Sequence, residues 1–375
     1  MRASSSQWLS IVGILVVAML AAWWWIEIQE ASRVSTAHGS SATNATRFST
    51  ETSSNAEQSV LTAANALASA KTTGERNAAL ARLRQILATG STNENSAAIR
   101  RLLDSKMDAA TGLGFKIGEG GALIEAPTLR TLLLDQLARL DPAAAAAYAR
   151  EILNAPDSPD EWAIALRNLA RGDASADARA LLEAKTGELL RNQSWQQGPS
   201  AGYLEAFDMA VYLGGTDLLA PLADLVRAQD NPAVAHAAFL ALDRLAINQP
   251  AEVLAALEAH PDWMQGREET RADYFARADV GNATQRGIVE TFLLDPARTP
   301  AELQAFAGVF PNANFMLSQN LLTQNATLNG ATLRQRDQVS LQAVNEWLAD
   351  PKFEKIRQPL EKLRARLQQF VKTQN

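Results

Sequence analysis

DNPAVAHAAFLALDRL, residues 230–245, shows the fold class of this chain most clearly. Asn231 is suited to cap a helix whose first position is Pro232, because proline lacks only an N–H that the first turn would leave unbonded. Apolar side chains then recur every three or four residues on one helix face, namely Val234, Ala238, Leu242 and Leu245. The stretch therefore predicts an amphipathic α-helix.

The same start signal, a capping residue followed by proline, recurs at Asp141-Pro142, Ser158-Pro159, Thr299-Pro300 and Asp350-Pro351. In two of these starts a glutamate follows three residues after the cap, as in a capping box: Ser158 with Glu161, and Thr299 with Glu302. Leucines of amphipathic spacing fill another segment, at Leu129, Leu132, Leu133, Leu137 and Leu140. No run of alternating β-branched residues competes, so the sequence predicts an all-α fold.

The spacing of these starts suggests a repeating unit. Pro127, Pro142 and Pro159 lie 15 and 17 residues apart, and Pro232 and Pro250 lie 18 apart. A pair of helices therefore takes roughly 32 to 36 residues, which is the scale of a helical repeat.

Residues 230–245 resemble the first helix of a HEAT repeat, in which an Asp-Pro turn opens a helix that faces its neighbouring layer with valine and paired small residues. The match covers one repeat well and extends loosely to residues 127–170 and 216–259. The resemblance implies a HEAT-like α-solenoid that binds protein on its surface, and it implies no catalytic residue. Spacing elsewhere is irregular, so an irregular α-helical array is the alternative.

An uncharged stretch runs from Trp8 to Ile26 and has about the length that an apolar helix needs to cross a bilayer. Tryptophans mark both of its ends, as in the aromatic belts of membrane interfaces: Trp8, Trp23, Trp24 and Trp25. Arg2 precedes the stretch and Glu27 follows it, so the positive-inside tendency places the N-terminus in the cytoplasm. A cleaved signal peptide is the alternative, although residues 18–22 fit a small-residue cleavage motif poorly.

We therefore predict a cytoplasmic N-terminus at residues 1–7, a transmembrane signal-anchor at 8–28 and a flexible linker at 29–58, which is rich in Ser, Thr, Asn and Ala. An α-helical, HEAT-like body at 59–350 and a basic amphipathic helix at 351–375 follow. This organisation predicts a single-pass protein of the inner (plasma) membrane, with its body periplasmic or extracellular.

Composition excludes several kinds of chemistry. The chain has no cysteine, which removes disulfides, thiolate metal sites and cysteine nucleophiles, and its three histidines are too few for a His-rich metal site. A formal net charge of -6 argues against nucleic acid as a partner, because phosphate contacts need clustered Lys and Arg. We predict no cofactor and no metal site.

Gly198-Pro199-Ser200-Ala201-Gly202 matches the G-x-S-x-G pattern of hydrolase nucleophiles, and His236 and His260 follow it in the chain. That motif needs a buried strand ahead of the serine, whereas residues 191–197 are polar, so a loop and helix cap is favoured. His236 is expected to be a partly buried, hydrogen-bonded residue, and His260 to lie at a helix end.

The Gly-rich residues 112–121 lack the spacing of nucleotide-binding loops, because Ile117 occupies the place of the third glycine. They predict a structural loop or small hairpin between helices, with a ligand-contacting loop as the alternative. Carboxylates are expected on solvated faces, including Asp160, Glu161, Glu268 and Glu269.

The C-terminal residues 351–375 differ from the rest, since they carry seven basic and two acidic side chains. Their apolar residues recur at intervals of three and four: Phe353, Ile356, Leu360, Leu363, Leu367 and Phe370. Such a seam favours a terminal capping helix packed on one partner, with an intermolecular coiled coil as the alternative. The basic face would suit an acidic partner or an anionic surface.

Together these features predict a membrane-tethered scaffold or adaptor that binds an envelope protein through its helical surface, with no catalytic residue assigned. The alternative is an all-α envelope enzyme that cleaves glycan or peptidoglycan with paired carboxylates. A ligand sensor that uses the loop of residues 112–121 is a third hypothesis.

Overall fold

The computed structural model describes residues 42–373, apart from residues 229, 315–317 and 325–329. Two compact units divide the chain, residues 1–55 and residues 56–375. Of the first unit the structure describes only the start of helix α1. The predicted anchor at residues 8–28 and the first part of the predicted linker, residues 29–41, lie outside the described residues.

The described residues are almost entirely helical, which confirms the all-α prediction. The helices are α1 (Ala42–Ser69), α2 (Thr73–Thr89), α3 (Thr92–Asp104), α4 (Leu129–Leu140), α5 (Pro142–Ile152), α6 (Pro159–Gly172), α7 (Ala176–Arg191), α8 (Gln193–Gln197), α9 (Ala201–Glu205), α10 (Asp208–Leu213), α11 (Leu219–Arg227), α12 (Pro232–Asn248), α13 (Pro250–Ala259), α14 (Glu268–Phe275), α15 (Ala283–Leu294), α16 (Pro300–Val309), α17 (Gly330–Ala349) and α18 (Arg357–Thr373). Short 3-10 helices span Glu119–Gly121, Pro261–Met264 and Pro351–Ile356. Strands β1 (Lys116–Ile117) and β2 (Leu123–Glu125) form one antiparallel hairpin.

Most predicted Pro starts are confirmed, because α5, α6, α12, α13 and α16 and the 3-10 helix at 351 each begin at the proline. The start expected at Pro127 is wrong, because α4 begins at Leu129 behind the N-cap Thr128. The two predicted capping boxes are only half formed. The hydroxyls of Ser158 and Thr299 accept the backbone N–H of Glu161 and Glu302. Both glutamates, however, turn their carboxylates to arginines of neighbouring helices.

Helices of the body pack on neighbours in sequence, and several also pack on the helix two positions away. We call α4, α6, α9, α10, α12, α14 and α16 the front row. Within it α6 packs on α4 and α9, α12 packs on α9 and α10, and α16 packs on α14. Helices α5, α7, α11, α13 and α15 pack behind them. The predicted core residues Val234, Ala238, Leu242 and Leu245 are buried between the two sets.

Buried ion pairs tie the front row together at a regular sequence separation. Their members lie between 31 and 36 residues apart: Arg130 with Glu161, Asp135 with Arg167, Asp208 with Arg244, Asp243 with Arg277, and Arg271 with Glu302. The separation equals the length of one helix pair, so each pair joins a front-row helix to the next. Removing one member of a fully buried pair, such as Asp135 with Arg167, leaves a buried charge without a partner and costs about 3–5 kcal/mol.

Residues 42–58 differ from the prediction of a flexible linker, because they belong to helix α1. The second half of α1 packs into the core through Val60, Ala63, Ala64 and Leu67. Once those turns are fixed, further residues extend the helix without a new nucleation cost. Residues 42–58 can therefore be helical although they lack apolar periodicity of their own. None of the described helices, from α1 to α18, has the length and apolar character needed to cross a bilayer.

The C-terminal segment forms the predicted capping helix. Helix α18 packs on α17 and α16. Five of the six seam residues predicted for the segment are buried, two of them in the preceding 3-10 helix, whereas Phe370 stays 41% exposed. Pro359 does not interrupt α18, because it is the third residue of the helix, where the backbone N–H would have no intrahelical acceptor.

Candidate binding groove

A groove of about 670 Å³ runs along one face of α12. Its walls are α12, the end of α9 with the turn that follows, Arg277 after α14, and Asn314, Ser318, Asn320 and Gln324. The stripe of α12 that faces the groove includes His236, Leu240, Arg244 and Ile247, spaced by four, four and three residues. It lies opposite the core stripe that begins at Val234, so one helix serves both the core and the groove.

Two of the buried ion pairs form the charged floor of the groove. Asp243 and Arg277 form a bidentate pair, with Nε–Oδ1 and Nη2–Oδ2 distances of 2.8 and 2.7 Å. Burial raises the pKa of Asp243, and Arg277 opposes the shift. Arg244 Nη1 lies 2.9 Å from Asp208 Oδ1. Both arginines are thus already neutralised by a carboxylate.

Residues 318–324, which we call the strap, cross the front row beside the groove. Asp208 Oδ2 accepts the backbone N–H groups of Leu322 and Thr323, at 2.7 and 3.0 Å. The Thr323 hydroxyl also contacts Asp208 and Arg244. Leu321 is 2% exposed. The strap is therefore held mainly through its backbone, by charged side chains of the front row.

The Gly-rich hairpin lies at the other end of the front row and is held in the same manner. Arg167 Nη1 donates to the Gly121 carbonyl at 2.8 Å, and Asp135 Oδ1 accepts the Leu123 N–H at 3.0 Å. Arg171 joins hairpin and strap, since its Nη2 donates to the carbonyls of Gly120 and Leu321 at 2.6 and 2.7 Å. The prediction of a small hairpin for residues 112–121 is confirmed.

Glu205 is the one groove carboxylate that has neither an ion pair nor a hydrogen bond among the described residues. It lies at the C-terminal end of α9, half-buried beside Leu204. Burial raises its pKa, the neighbouring charge of Asp208 adds to the shift, and Arg244 opposes it. Asp208 and Asp243, by contrast, are committed to arginines and, for Asp208, to the strap.

Ser200 is the N-cap of the five-residue helix α9, as the helix-cap interpretation predicted. Its hydroxyl accepts the Tyr203 N–H and lies 2.5 Å from Asp160 Oδ1. No described contact joins Ser200 to a histidine, and the element directly ahead of it is helix α8 rather than a strand. The G-x-S-x-G pattern thus marks a turn: a Cβ at Gly202 would collide with Asp160.

The prediction for His236 is wrong, because its side chain is exposed at the groove edge rather than partly buried. It stacks on Phe239 with ring centroids 6.2 Å apart. The core stripe of α12 faces the interior, and His236 lies on the opposite side of the helix. His260 does occupy a helix end, as the C-cap of α13, and stacks on Trp263 at 4.4 Å.

Two of the four carboxylates expected on solvated faces are not solvated. Glu161 is 9% exposed and forms a bidentate pair with Arg130. Asp160 is half-buried and accepts the Gly202 N–H at 2.9 Å. Glu268 accepts the Gly266 N–H at a helix start, and Glu269 is exposed as predicted. Tertiary partners, which a single sequence does not show, account for the two corrections.

A smaller depression of about 430 Å³ lies beside the hairpin, where Arg84, Glu119, Ile124 and Arg139 surround it. It is the place where the loop of residues 112–121 would meet a ligand under the sensor hypothesis. Ile124 is 54% exposed there.

Sequence reasoning missed Glu205, Asp208, Asp243, Arg244 and Arg277, none of which belongs to a motif. One signal was available on α12, whose second stripe mixes apolar and charged residues instead of being wholly polar, as a solvated face would be. Among the described residues, no group of three His, Asp or Glu side chains is placed to hold a metal ion. The chain matches no protein-family model, and comparisons with curated proteins and with solved structures find no match.

Proposed function

We propose that this chain is a membrane-tethered scaffold that binds an envelope protein by taking an extended segment of that partner into the groove on α12. The observation that carries the proposal is the way in which the front row holds its own irregular segments. Asp135 and Asp208 each accept a backbone N–H from a segment that lies across the row, and Arg167, Arg171 and Arg277 donate to backbone carbonyls. These contacts involve only the backbone of the segment that lies across the row, so they do not depend on its side chains. A segment of another protein could form the same kind of contact.

The composition of the groove supports a polypeptide as its occupant. Apolar side chains such as Phe239, Leu240 and Ile247 offer surface for alternate side chains of a bound strand. Asn314, Asn320 and Gln324 line the opposite wall with groups that can both donate and accept hydrogen bonds. A mixture of apolar surface and a few placed polar groups is typical of binding sites.

The repeat-like organisation supports the same proposal. The regular separation of the front-row ion pairs, 31 to 36 residues, fits stacked helix pairs of the HEAT-like kind. Stacked pairs present a continuous row of helices, and such rows are commonly used as protein-binding surfaces.

Site-specific photo-crosslinking in cells tests the proposal. A photoreactive residue at Leu240, in the groove, is expected to cross-link to one discrete protein partner. The matched control is Leu294, which is 38% exposed on α15 and does not line the groove. Identical products at both positions, or products at Leu294 alone, would contradict binding in the groove.

The tether is tested separately. Alkaline phosphatase fused after residue 375 is expected to be active, because the enzyme folds only outside the cytoplasm, whereas a fluorescent protein that requires the cytoplasm should stay dark there. Deletion of residues 8–28 should move the chain from the membrane fraction to the soluble fraction. A full-length chain that is soluble would contradict the anchor and leave the groove proposal standing.

A further inference from the structure

The charged groups of the groove do not all form ion pairs. Asp208 and Asp243 face Arg244 and Arg277 at hydrogen-bond distance, so these four groups cancel. Glu205 forms no ion pair among the described residues, and Arg244, a cation that acts on it, is already bound to Asp208. The groove therefore carries one unbalanced negative charge.

The surroundings of Glu205 make that charge costly. Leu204 adjoins it and Phe207 lies in the same wall, while Phe239 and Leu240 belong to the stripe of α12 across the groove. A carboxylate in partly apolar surroundings loses hydration that only a counter-charge or hydrogen-bond donors can replace. No other side chain of the described residues supplies either at ion-pair distance, so the carboxylate is left to water or to a ligand that carries such a group.

We infer that the groove selects a segment with a lysine or arginine whose cationic group pairs with Glu205, while an adjacent apolar residue of that segment packs on Phe239 and Leu240. The inference rests on the proposed function and names the chemistry of the partner. The aliphatic stem of a lysine or arginine can lie along the apolar wall, and its charged head can reach the carboxylate. Asp208 remains bound to the strap and Arg244 throughout.

A metal ion fits this site less well than a side-chain cation. Hard cations such as Ca²⁺ and Mg²⁺ take six or more oxygen ligands, or keep several waters with one or two carboxylates and a substrate phosphate. Glu205 is a single carboxylate, and the described residues place no third acidic or histidine ligand with it. One carboxylate is sufficient for one ammonium or guanidinium group.

The inference is tested by measuring how tightly peptide mixtures bind to the full-length protein in detergent micelles. The probes are fluorescein-labelled octapeptide mixtures, random except for one central position that is fixed as Lys, Arg, Gln or Glu. We expect the Lys and Arg mixtures to bind about tenfold more tightly than the Gln mixture, and the Glu mixture to bind most weakly.

Glu205→Gln is expected to remove the preference for Lys and Arg over Gln. Glu269→Gln, at an exposed carboxylate that does not line the groove, should keep the preference. Thermal unfolding of each variant reports whether it is folded. Equal binding of the Lys and Gln mixtures by the unchanged protein, or a preference that survives Glu205→Gln, would overturn the inference.

Ala237→Trp separates this inference from the proposed function, because a tryptophan there fills the groove while Glu205 stays in place. If the mixtures bind without charge preference and Ala237→Trp abolishes binding, the inference fails and the groove function stands. If no mixture binds, or if Ala237→Trp has no effect, both fail. A dimer of this chain that Glu205→Gln dissociates would assign the cation to the basic helix α18 of a second copy and would also overturn the inference.

Discussion

The front row uses one device in two places, at Asp135 with Arg167 and at Asp208 with Arg244. In both, the aspartate accepts the backbone N–H of an irregular segment and pairs with an arginine 32 or 36 residues away. The side chain of Arg167 is 1% exposed beneath the hairpin, whereas that of Arg244 is 18% exposed beside the strap. The covering segment thus distinguishes the two pairs: the hairpin closes over Arg167, whereas the strap leaves Arg244 at the edge of an open groove.

The largest effect is expected at the closed pair. Asp135→Asn should lower the free energy of unfolding by about 3–5 kcal/mol, because Arg167 then keeps its charge in a buried site without a counter-charge. Urea unfolding of the full-length chain measures the loss. A double variant, Asp135→Leu with Arg167→Met, should lose less than the single one, since it leaves no buried charge. A single variant of unchanged stability would show that the pair is not buried as described.

A smaller loss is expected at the open pair. Asp208→Asn should cost about 2–3 kcal/mol, because it weakens charged hydrogen bonds to the strap and to Arg244 while the groove admits water to compensate. Hydrogen exchange should show faster exchange of the Leu322 and Thr323 amides. A loss as large as that of Asp135→Asn would remove the distinction between the two pairs.

Two neighbouring glycines lie at the point where hairpin and strap meet. Both Gly120 and Gly121 have positive φ, 64° and 73°. A Cβ on Gly121 would collide with the carbonyl group of Leu321, whereas one on Gly120 would meet nothing. We expect Gly120→Ala to cost about 1 kcal/mol and Gly121→Ala about 2–3 kcal/mol, as measured by thermal unfolding. Equal losses would mean that the strap does not approach the hairpin.

The smallest effect is expected at Glu205. Its pKa is raised in the folded chain, so the ionised carboxylate lowers stability above that pKa, and the cost disappears as the pH falls below the pKa of the unfolded chain. Glu205→Gln should therefore raise Tm by about 1–2 °C at pH 7 and leave it unchanged near pH 4. A decrease of Tm at pH 7 would indicate a stabilising partner for Glu205.

Local signals predicted the helices well, since capping residues, proline and leucine spacing act within a few residues. Asp141-Pro142 and Asn231-Pro232 begin helices for reasons that their own neighbours supply. The glutamates of the two expected capping boxes show the limit of local prediction. Glu161 and Glu302 could each accept the backbone N–H of the N-cap residue, but they bind arginines 31 residues away instead. Those partners depend on how helix pairs stack.

The groove was beyond sequence reasoning for a related reason. Asp208 contributes to the groove by accepting the backbone N–H of Leu322, which lies 114 residues further along the chain. The strap itself has neither apolar periodicity nor a turn signature that would place it against a helix row. Its position follows from unsatisfied polar groups of the front row, which only the assembled row brings together.

The contact of Arg171 with Leu321 also bears on the order in which the chain assembles. It joins residues 150 positions apart, whereas the front-row pairs join residues one helix pair apart. Contacts of short sequence separation close first, because they cost less chain entropy. During synthesis the helix rows up to α14 can pack before residue 321 has left the ribosome. The strap is therefore expected to complete the wall of the groove only after the helix rows have packed.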